Sequence, residues 1–207
     1  MFLYEPYQFK KKNPVWTDAQ TAIRQIKKGK RVLIGSGCAE PQFLVKTLVN
    51  NASQFRDNEI VHILTVGIAP YADPQYADNF RHNAFFIGKN IRQSVVDGHS
   101  DYLPIFLSEI PTLLKTKQMP VHCALIQVSS PDAEGFVSLG VSVDILLAAI
   151  QSADIVIAQV NSRPVTDELS LRQALKSGNA AKKSSVFVVI RDGSPLFLVI
   201  PEEASKK

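Results

Sequence analysis

The sequence predicts an α/β domain in which a mostly parallel sheet is flanked by helices. Three observations carry this. Short apolar runs recur at 31–34, 60–66, 122–128 and 154–160, as expected of strands buried on both faces. The segments between them show helical spacing, as at Ala19, Ala22, Ile23 and Ile26, with apolar residues three and four apart. The joins between the two patterns are rich in Gly, Pro, Asp and Ser, the punctuation of strand-to-helix turns.

Taken in order, residues 1–16 are a mixed lead-in arm with two prolines. Thr17 caps a helix with Gln20 reaching back, a capping-box pattern, and Gly29 ends it. The first buried strand is 31–34, followed by a tight turn at 35–40. Pro41 opens a helix over 42–49, since proline fits the first helical turn. The second strand is 60–66, and Asp73-Pro74 caps a helix running through Phe80. A third strand is expected at 84–87, helices at 89–96 and 105–115, and a loop at 97–101. The strand at 122–128 leads through a turn at 129–135 to an apolar helix at 143–152 and a strand at 154–160. After Asn161 the texture changes to a helix pattern at 167–177 and strands at 185–190 and 196–200 around Asp192-Gly193, a hairpin signal. The expected organisation is therefore a 1–161 α/β domain and a 162–207 tail of helix plus hairpin.

Composition narrows the function classes. The chain has 207 residues, 45% hydrophobic and 20% charged, which is globular rather than disordered. Two cysteines cannot build a disulfide scaffold, and they suit a reducing, cytoplasmic setting. No apolar run reaches the ~18–20 residues of a membrane span, and Glu5 near the start speaks against a secretory signal. The net charge is +4, with basic clusters at 10–12, 27–31 and 206–207. Aromatic residues are not interleaved with these clusters, so they read as a solvated basic surface and not as a nucleic-acid site.

Three stretches could carry chemistry. In Gly35-Ser36-Gly37-Cys38-Ala39-Glu40 the glycines let a ligand approach the main chain, and the helix start beyond offers N–H groups to an anion. Glu40 replaces the third glycine of a dinucleotide fingerprint, no acid ends the second strand, and the P-loop lysine is absent; both nucleotide readings are excluded. The plain alternative is a strand-to-helix turn. Residues 129–140 are dense in Ser, Pro, Asp and Gly, a turn by composition. Asp97-Gly98-His99-Ser100-Asp101 invites a hydrolase triad, but without a G-x-S-x-G elbow it reads as a hydrogen-bonded loop. His62, His82, His99 and His122 are scattered, and Cys38 and Cys123 lack C-x-x-C partners, so no metal site is expected. His62 and His122 read as sheet histidines. Cys38 sits near a helix start that would activate a thiol, yet a small buried filler is the expected role.

Several of these stretches carry a resemblance. Gly35-Ser36-Gly37-Cys38-Ala39-Glu40-Pro41, the run from Tyr76 to Gly88, Gly98-His99-Ser100-Asp101-Tyr102-Leu103-Pro104 with Leu107-Ser108-Glu109-Ile110-Pro111, and the segment from Val128 to Asp144 resemble, in that order, the acetyl-CoA hydrolase/transferase family. The segment 129–140 is similar to its S-P-x-D-x-x-G-x-x-S-L-G signature, and Val156-Ile157-Ala158-Gln159-Val160-Asn161 closes the match. The resemblance implies a CoA-transferase-like half, one of two similar α/β halves with the active site between them. It implies that a glutamate of the second half attacks an acyl-CoA thioester, with donors stabilising the oxyanion, and that acetate or another small carboxylate takes over the CoA, or water takes the acyl group. The chain ends at Lys207, so that glutamate is expected to lie outside it, and no catalytic residue is assigned here. Glu40 is not the family's nucleophile. The substrate-binding expectation is Gly35, Ser36, Gly37, Glu40 and Pro41 from the first loop, with Ser129, Pro131, Asp132 and Gly135 from the second. No permanent cofactor is implied; a coenzyme A thioester is the substrate. A second-half protein or a homo-oligomer is the expected partner. The 162–207 segment departs from the family and faintly resembles part of a CBS motif, which keeps an alternative open: a non-catalytic module binding CoA or an adenosyl nucleotide, or a truncated product.

Overall fold

The computed structural model describes residues 15–129, 133, 136–161 and 185–190. Its elements run β1 (Val15–Trp16), α1 (Ala19–Ile23), β2 (Arg31–Ile34), α2 (Gln42–Asn50), β3 (Asn58–His62), β4 (Phe80–Ala84), α3 (Arg92–Val96), β5 (Ser100–Tyr102), α4 (Ile110–Lys115), β6 (Cys123–Ser129), α5 (Leu146–Ser152), β7 (Ile155–Asn161) and β8 (Ser185–Ile190). All eight strands join one sheet in the order β1-β8-β7-β6-β2-β3-β4-β5. The six from β7 to β5 are parallel, and β8 and β1 add antiparallel neighbours at the β7 edge. This is the expected α/β architecture.

Successive strand residues point to opposite faces, and the core divides accordingly. Val32, Ile34, Ile60, Leu125 and Ile157 face a layer formed by Ile23 of α1 and Leu44, Val45 and Leu48 of α2. Leu33, Val61, Ala124, Ile126 and Val156 face Ile110 and Leu114 of α4 and Leu146 and Ile150 of α5. Helices on both faces explain why the central strands read as continuous apolar runs.

Local details differ from expectation at five places. The strand expected at 84–87 lies earlier, as β4 at Phe80–Ala84, whose Arg81, His82 and Asn83 make no apolar run. Asp18, not Thr17, caps α1: its carboxylate accepts from the Thr21 N–H at 2.8 Å and the Thr21 hydroxyl at 2.6 Å. β3 starts two residues early, at Asn58, whose buried amide donates to the Lys27 and Lys30 carbonyls. No α-helix follows Asp73. Two 3-10 turns, Pro70–Ala72 and Pro74–Tyr76, occupy that stretch, because the Asn79 amide fastens the chain to the Ala52 and Phe55 carbonyls and delivers Phe80 into β4 opposite Asn58. Finally, the expected loop at 97–101 contributes a strand. Ser100 pairs with His82 in register, and Asp101 takes a two-pronged ion pair from Arg81 at 2.5 and 2.6 Å. Those contacts, rather than a triad, account for the Ser and Asp of that stretch.

β8 confirms the strand expected at 185–190 and runs antiparallel along β7 from Ile155 to Val160. The helix expected at 167–177, the strand at 196–200 with its hairpin turn, and most of the CBS-like text lie outside the described residues.

Candidate functional site

The strand order reverses between β2 and β6: β2 leads to β3 on one side, and β6 leads to β7 on the other. Open α/β sheets bind ligands outside the carboxyl ends of the strands at such a reversal, because the loops there diverge and leave a crevice. The loops after β2 and β6 hold two of the three stretches singled out in the sequence, separated there by about ninety residues, and the fold brings these loops together. The Cys38 N–H donates to Ser142 Oγ at 3.1 Å. The Gly35 N–H donates to the Leu125 carbonyl at 2.8 Å.

Both glycines of the first loop have a steric reason. Gly37 has φ +60°, a left-handed conformation, and a Cβ there would lie 2.9 Å from Ser142 Oγ. A Cβ at Gly35 would sit tightly against the Ala39 carbonyl oxygen at 3.3 Å. The loop is equally tied to the loop after β3. The Ser36 hydroxyl oxygen accepts from the Ile63 N–H at 3.3 Å, the Gly37 N–H donates to the Leu64 carbonyl at 3.0 Å, and the buried Glu40 carboxyl accepts from the Thr65 hydroxyl and from the Gly67 N–H. Burial raises the Glu40 pKa, while the bonds from Thr65 and Gly67 pull it back.

The helix start beyond Pro41 does not offer an empty anion cradle. The side-chain oxygen of Gln159, from β7, accepts from the Phe43 N–H at 3.1 Å and the Leu44 N–H at 3.4 Å. The Gln42 N–H goes to the Glu40 carbonyl at 2.9 Å. An anion there would have to displace Gln159.

In the second loop, Ser129 closes the base: its N–H donates to the Ser138 carbonyl at 2.9 Å, and its hydroxyl oxygen accepts from the Ser138 N–H at 2.8 Å. Pro131, Asp132 and Gly135 lie outside the described residues. The Cys38 expectation is corrected. The thiol is exposed, because the 3-10 turn Gly37–Ala39 spends its inward position on Ala39. Cys123 is buried, and desolvation pushes its thiol pKa up.

Behind the loops after β3 and β4 lies a polar row. His62 and His82 approach through their Nε2 atoms at 2.7 Å, His82 Nδ1 meets Ser100 Oγ at 2.9 Å, Ser100 meets Ser94 at 2.6 Å, and the Ser94 hydroxyl donates to the Ala72 carbonyl at 3.0 Å. Tyr71 packs against both imidazoles. Desolvation lowers the His62 pKa to about 4 and, with the neighbouring His62, that of His82 to about 3. His122 serves the sheet by accepting the Arg31 N–H on Nδ1 at 3.0 Å. Among the described residues no group of three or more His, Cys, Asp or Glu is placed to hold a metal.

The strand-end loops carry exposed apolar side chains: Val66 and Ile68 after β3, Phe86 after β4, Phe106 after β5, and Phe136 and Val141 after β6. Sequence reasoning missed Ser142, Thr65, Gly67 and Gln159. One of these carried a signal: Gln159 interrupts an apolar strand.

An open, mostly parallel sheet flanked by helices, with glycine and serine loops tied together at its reversal point, defines the class: an α/β domain that presents strand-end loops. The chain belongs to the acetyl-CoA hydrolase/transferase N-terminal domain family, whose model matches residues 4–169. It is 43% identical over 143 residues to the 4-hydroxybutyrate coenzyme A transferase of Clostridium kluyveri, covering 69% of this chain and 33% of that one. It is 40% identical over 197 residues to the succinyl-CoA:acetate/propanoyl-CoA:succinate CoA transferase of Fasciola hepatica, covering 93% and 39%. Among solved structures, RipA from Yersinia pestis is similar at a TM-score of 0.64 and 25% identity, over 71% of this chain and 36% of that one. The chain thus spans about a third of the length of the curated relatives it matches.

Proposed function

We propose that this chain forms the first α/β half of a CoA-transferase or acyl-CoA hydrolase, exchanging coenzyme A between an acyl thioester and a small carboxylate such as acetate, or passing the acyl group to water. The observation that carries the reading is the meeting of the Gly35–Glu40 loop with the loop after β6, through Cys38 and Ser142 at 3.1 Å, at the reversal point of the sheet. Family membership and two transferase relatives at 40% identity or more support it.

In this reading Gly35, Ser36, Gly37, Glu40 and Pro41 build one wall of the substrate crevice, and Ser129, Pro131, Asp132 and Gly135 build the facing one. The N–H groups of Gly35, Gly37 and Cys38 bond within the chain, so the wall acts by shape and close main-chain approach and not as an anion cradle. The nucleophilic glutamate comes from a second half, supplied by a partner chain or further sequence, that closes over the strand-end loops. A nucleophile held apart from its pocket until the halves close keeps water from the reacting acyl group. Residues 1–161 supply this unit, and the 162–207 segment adds β8 to its edge. Two free thiols accord with a cytoplasmic setting, and among the described residues no helix is long and apolar enough to cross a membrane.

The test is transfer from acetyl-CoA to succinate by the 207-residue chain, alone and mixed with the remaining portion of a full-length relative, with borohydride trapping of enzyme-bound thioester. Turnover only in the mixture, with the trapped carboxyl on the added portion, is expected. A thioester trapped on this chain would overturn the assignment. Binding of CoA with no turnover in either sample would favour the regulatory module.

A further inference from the structure

Glu40 is a carboxyl with no ion-pair partner among the described residues, only 5% exposed, in the loop at the heart of the site. Such burial is costly unless hydrogen bonds offset it. Its Oε2 takes two donors from the neighbouring loop, the Thr65 hydroxyl and the Gly67 N–H, and its Oε1 is sealed from solvent. Neither oxygen is presented to a substrate, which rules out nucleophilic attack from this arrangement.

What Glu40 touches is more telling. Gly67 is the midpoint of a chain of contacts. Its N–H goes to Glu40, its carbonyl accepts from the Asn90 amide at 2.6 Å, and the Gln42 side chain lies directly on its Cα, where a Cβ would be 2.2 Å away. Gly88 is pressed the same way: a Cβ there would lie 2.8 Å from Asn90 Oδ1 and 3.2 Å from the Thr65 carbonyl. Three consecutive strand-end loops, after β2, β3 and β4, therefore meet at one peptide. On either side of it Val66 and Ile68 stand exposed.

We propose that Glu40 is a positioning residue, clamping the loops after β2, β3 and β4 through Thr65 and Gly67 so that Val66 and Ile68 form a fixed apolar wall of the acyl-CoA crevice. The clamp stands on the contacts; its consequence for ligand rests on the function proposed above. Fixing the wall before binding removes an ordering cost that would otherwise weaken affinity. A glutamine oxygen in the place of Oε2 can accept both bonds but carries no charge to strengthen them, and an alanine keeps neither.

The experiment is hydrogen exchange on the 207-residue chain, wild type against Glu40→Ala and Glu40→Gln, together with calorimetric titration of acetyl-CoA. Glu40→Ala should raise exchange across residues 63–69 by about ten-fold, as local opening there becomes easier, while residues 123–128 stay unchanged. Acetyl-CoA affinity should fall by about five-fold with the loss of preorganisation, and Glu40→Gln should recover part of both. Thr65→Val removes one donor to the carboxyl and should give the same local response, which keeps the test open if Glu40→Ala does not fold. Unchanged exchange at 63–69 in Glu40→Ala and Thr65→Val would overturn the clamp. So would an affinity loss without an exchange response, which would mark Glu40 as a direct ligand contact. A wild-type chain that binds no acetyl-CoA but shows the exchange response would sink the proposed function and leave the clamp standing.

Discussion

The two wings of the sheet, on either side of the β2/β6 reversal, are built from different materials. On the β2–β5 wing the interior holds Ser36, Glu40, Asn58, His62, Thr65, His82 and Ser100. On the β6–β7 wing Gln159 is the buried polar side chain among the described residues, set within Ala124, Leu125, Ile126, Val156, Ile157 and Ala158. The apolar wing holds the fold together by area and packing. The polar wing specifies geometry, because each buried polar atom accepts only a partner in the right place. The loops that the polar wing feeds, after β2, β3 and β4, are the ones cross-tied to each other. These cross-tied loops are thus underlain by directional bonds.

The largest expected effect probes the apolar wing. Leu125 is fully buried in β6, opposite Ile34 on one side and Ile157 on the other. Leu125→Ala should cost about 2–5 kcal/mol, through lost burial and a cavity, read as a lower urea midpoint. The cost should be the same at pH 7 and pH 5, since no titrating group is involved. A loss that grows with acidity would mean the wings are not separable in this way.

The polar wing should show the opposite signature. The facing Nε2 atoms of His62 and His82, 2.7 Å apart, require one donor and one acceptor; charging both rings would set two N–H groups against each other, and burial penalises a charge on either ring. Above the ordinary histidine value of 6.5 the folded and unfolded rings are both neutral. As pH falls below it, the unfolded chain takes up protons that the folded pair refuses until about pH 4 for His62 and about pH 3 for His82. Stability is therefore lost across that window, by roughly 1 kcal/mol per pH unit for each ring. The lowered Asp101 carboxyl adds acid loss of the same sign below its ordinary value, and the raised Glu40 opposes it. A His62→Leu/His82→Leu double variant isolates the rings. Its urea midpoint should fall less between pH 6.5 and 4.5 than that of the wild type, and an unchanged slope would remove the pair from the account.

The same contrast explains what the sequence made legible. Apolar runs announce strands, so β2, β6 and β7 were read almost to the residue, and the loops at the reversal point followed from where those runs stop. β4 and β5 were displaced or missed because their strand residues are polar: Arg81, His82 and Asn83, then Ser100 and Asp101. A strand whose inward side chains are imidazole and hydroxyl has no apolar alternation to detect. Its identity lies in partners eighteen or twenty residues away. Glu40 was visible as a residue out of place in a glycine turn, but its partners Thr65 and Gly67 belong to another loop, and only the fold shows that the carboxyl faces inward. Cys38 went the other way, outward, because a single 3-10 turn decides which of two small neighbours is buried, and composition does not.

Gln159 is the exception that joins the wings, and it offers the smallest and sharpest test. It stands on the apolar wing, yet its oxygen caps α2, whose first residues continue the Gly35–Glu40 loop. Gln159→Leu keeps the volume and adds apolar area, so a wing held only by burial should tolerate it. Two helix N–H groups would lose their acceptor, however, and a lost cap costs about 1–2 kcal/mol. The loss should be local: faster amide exchange at Phe43 and Leu44, with β6 unaffected. Gln159→Glu, which retains an acceptor at the positive end of the helix, should restore protection at those two amides more than it restores overall stability, because it buries a charge. Slower or unchanged exchange at Phe43 and Leu44 in Gln159→Leu would show that the first turn of α2 is held by the glycine loop alone, and that Gln159 adds no tie between the wings beyond the Cys38–Ser142 bond and the β2–β6 pairing.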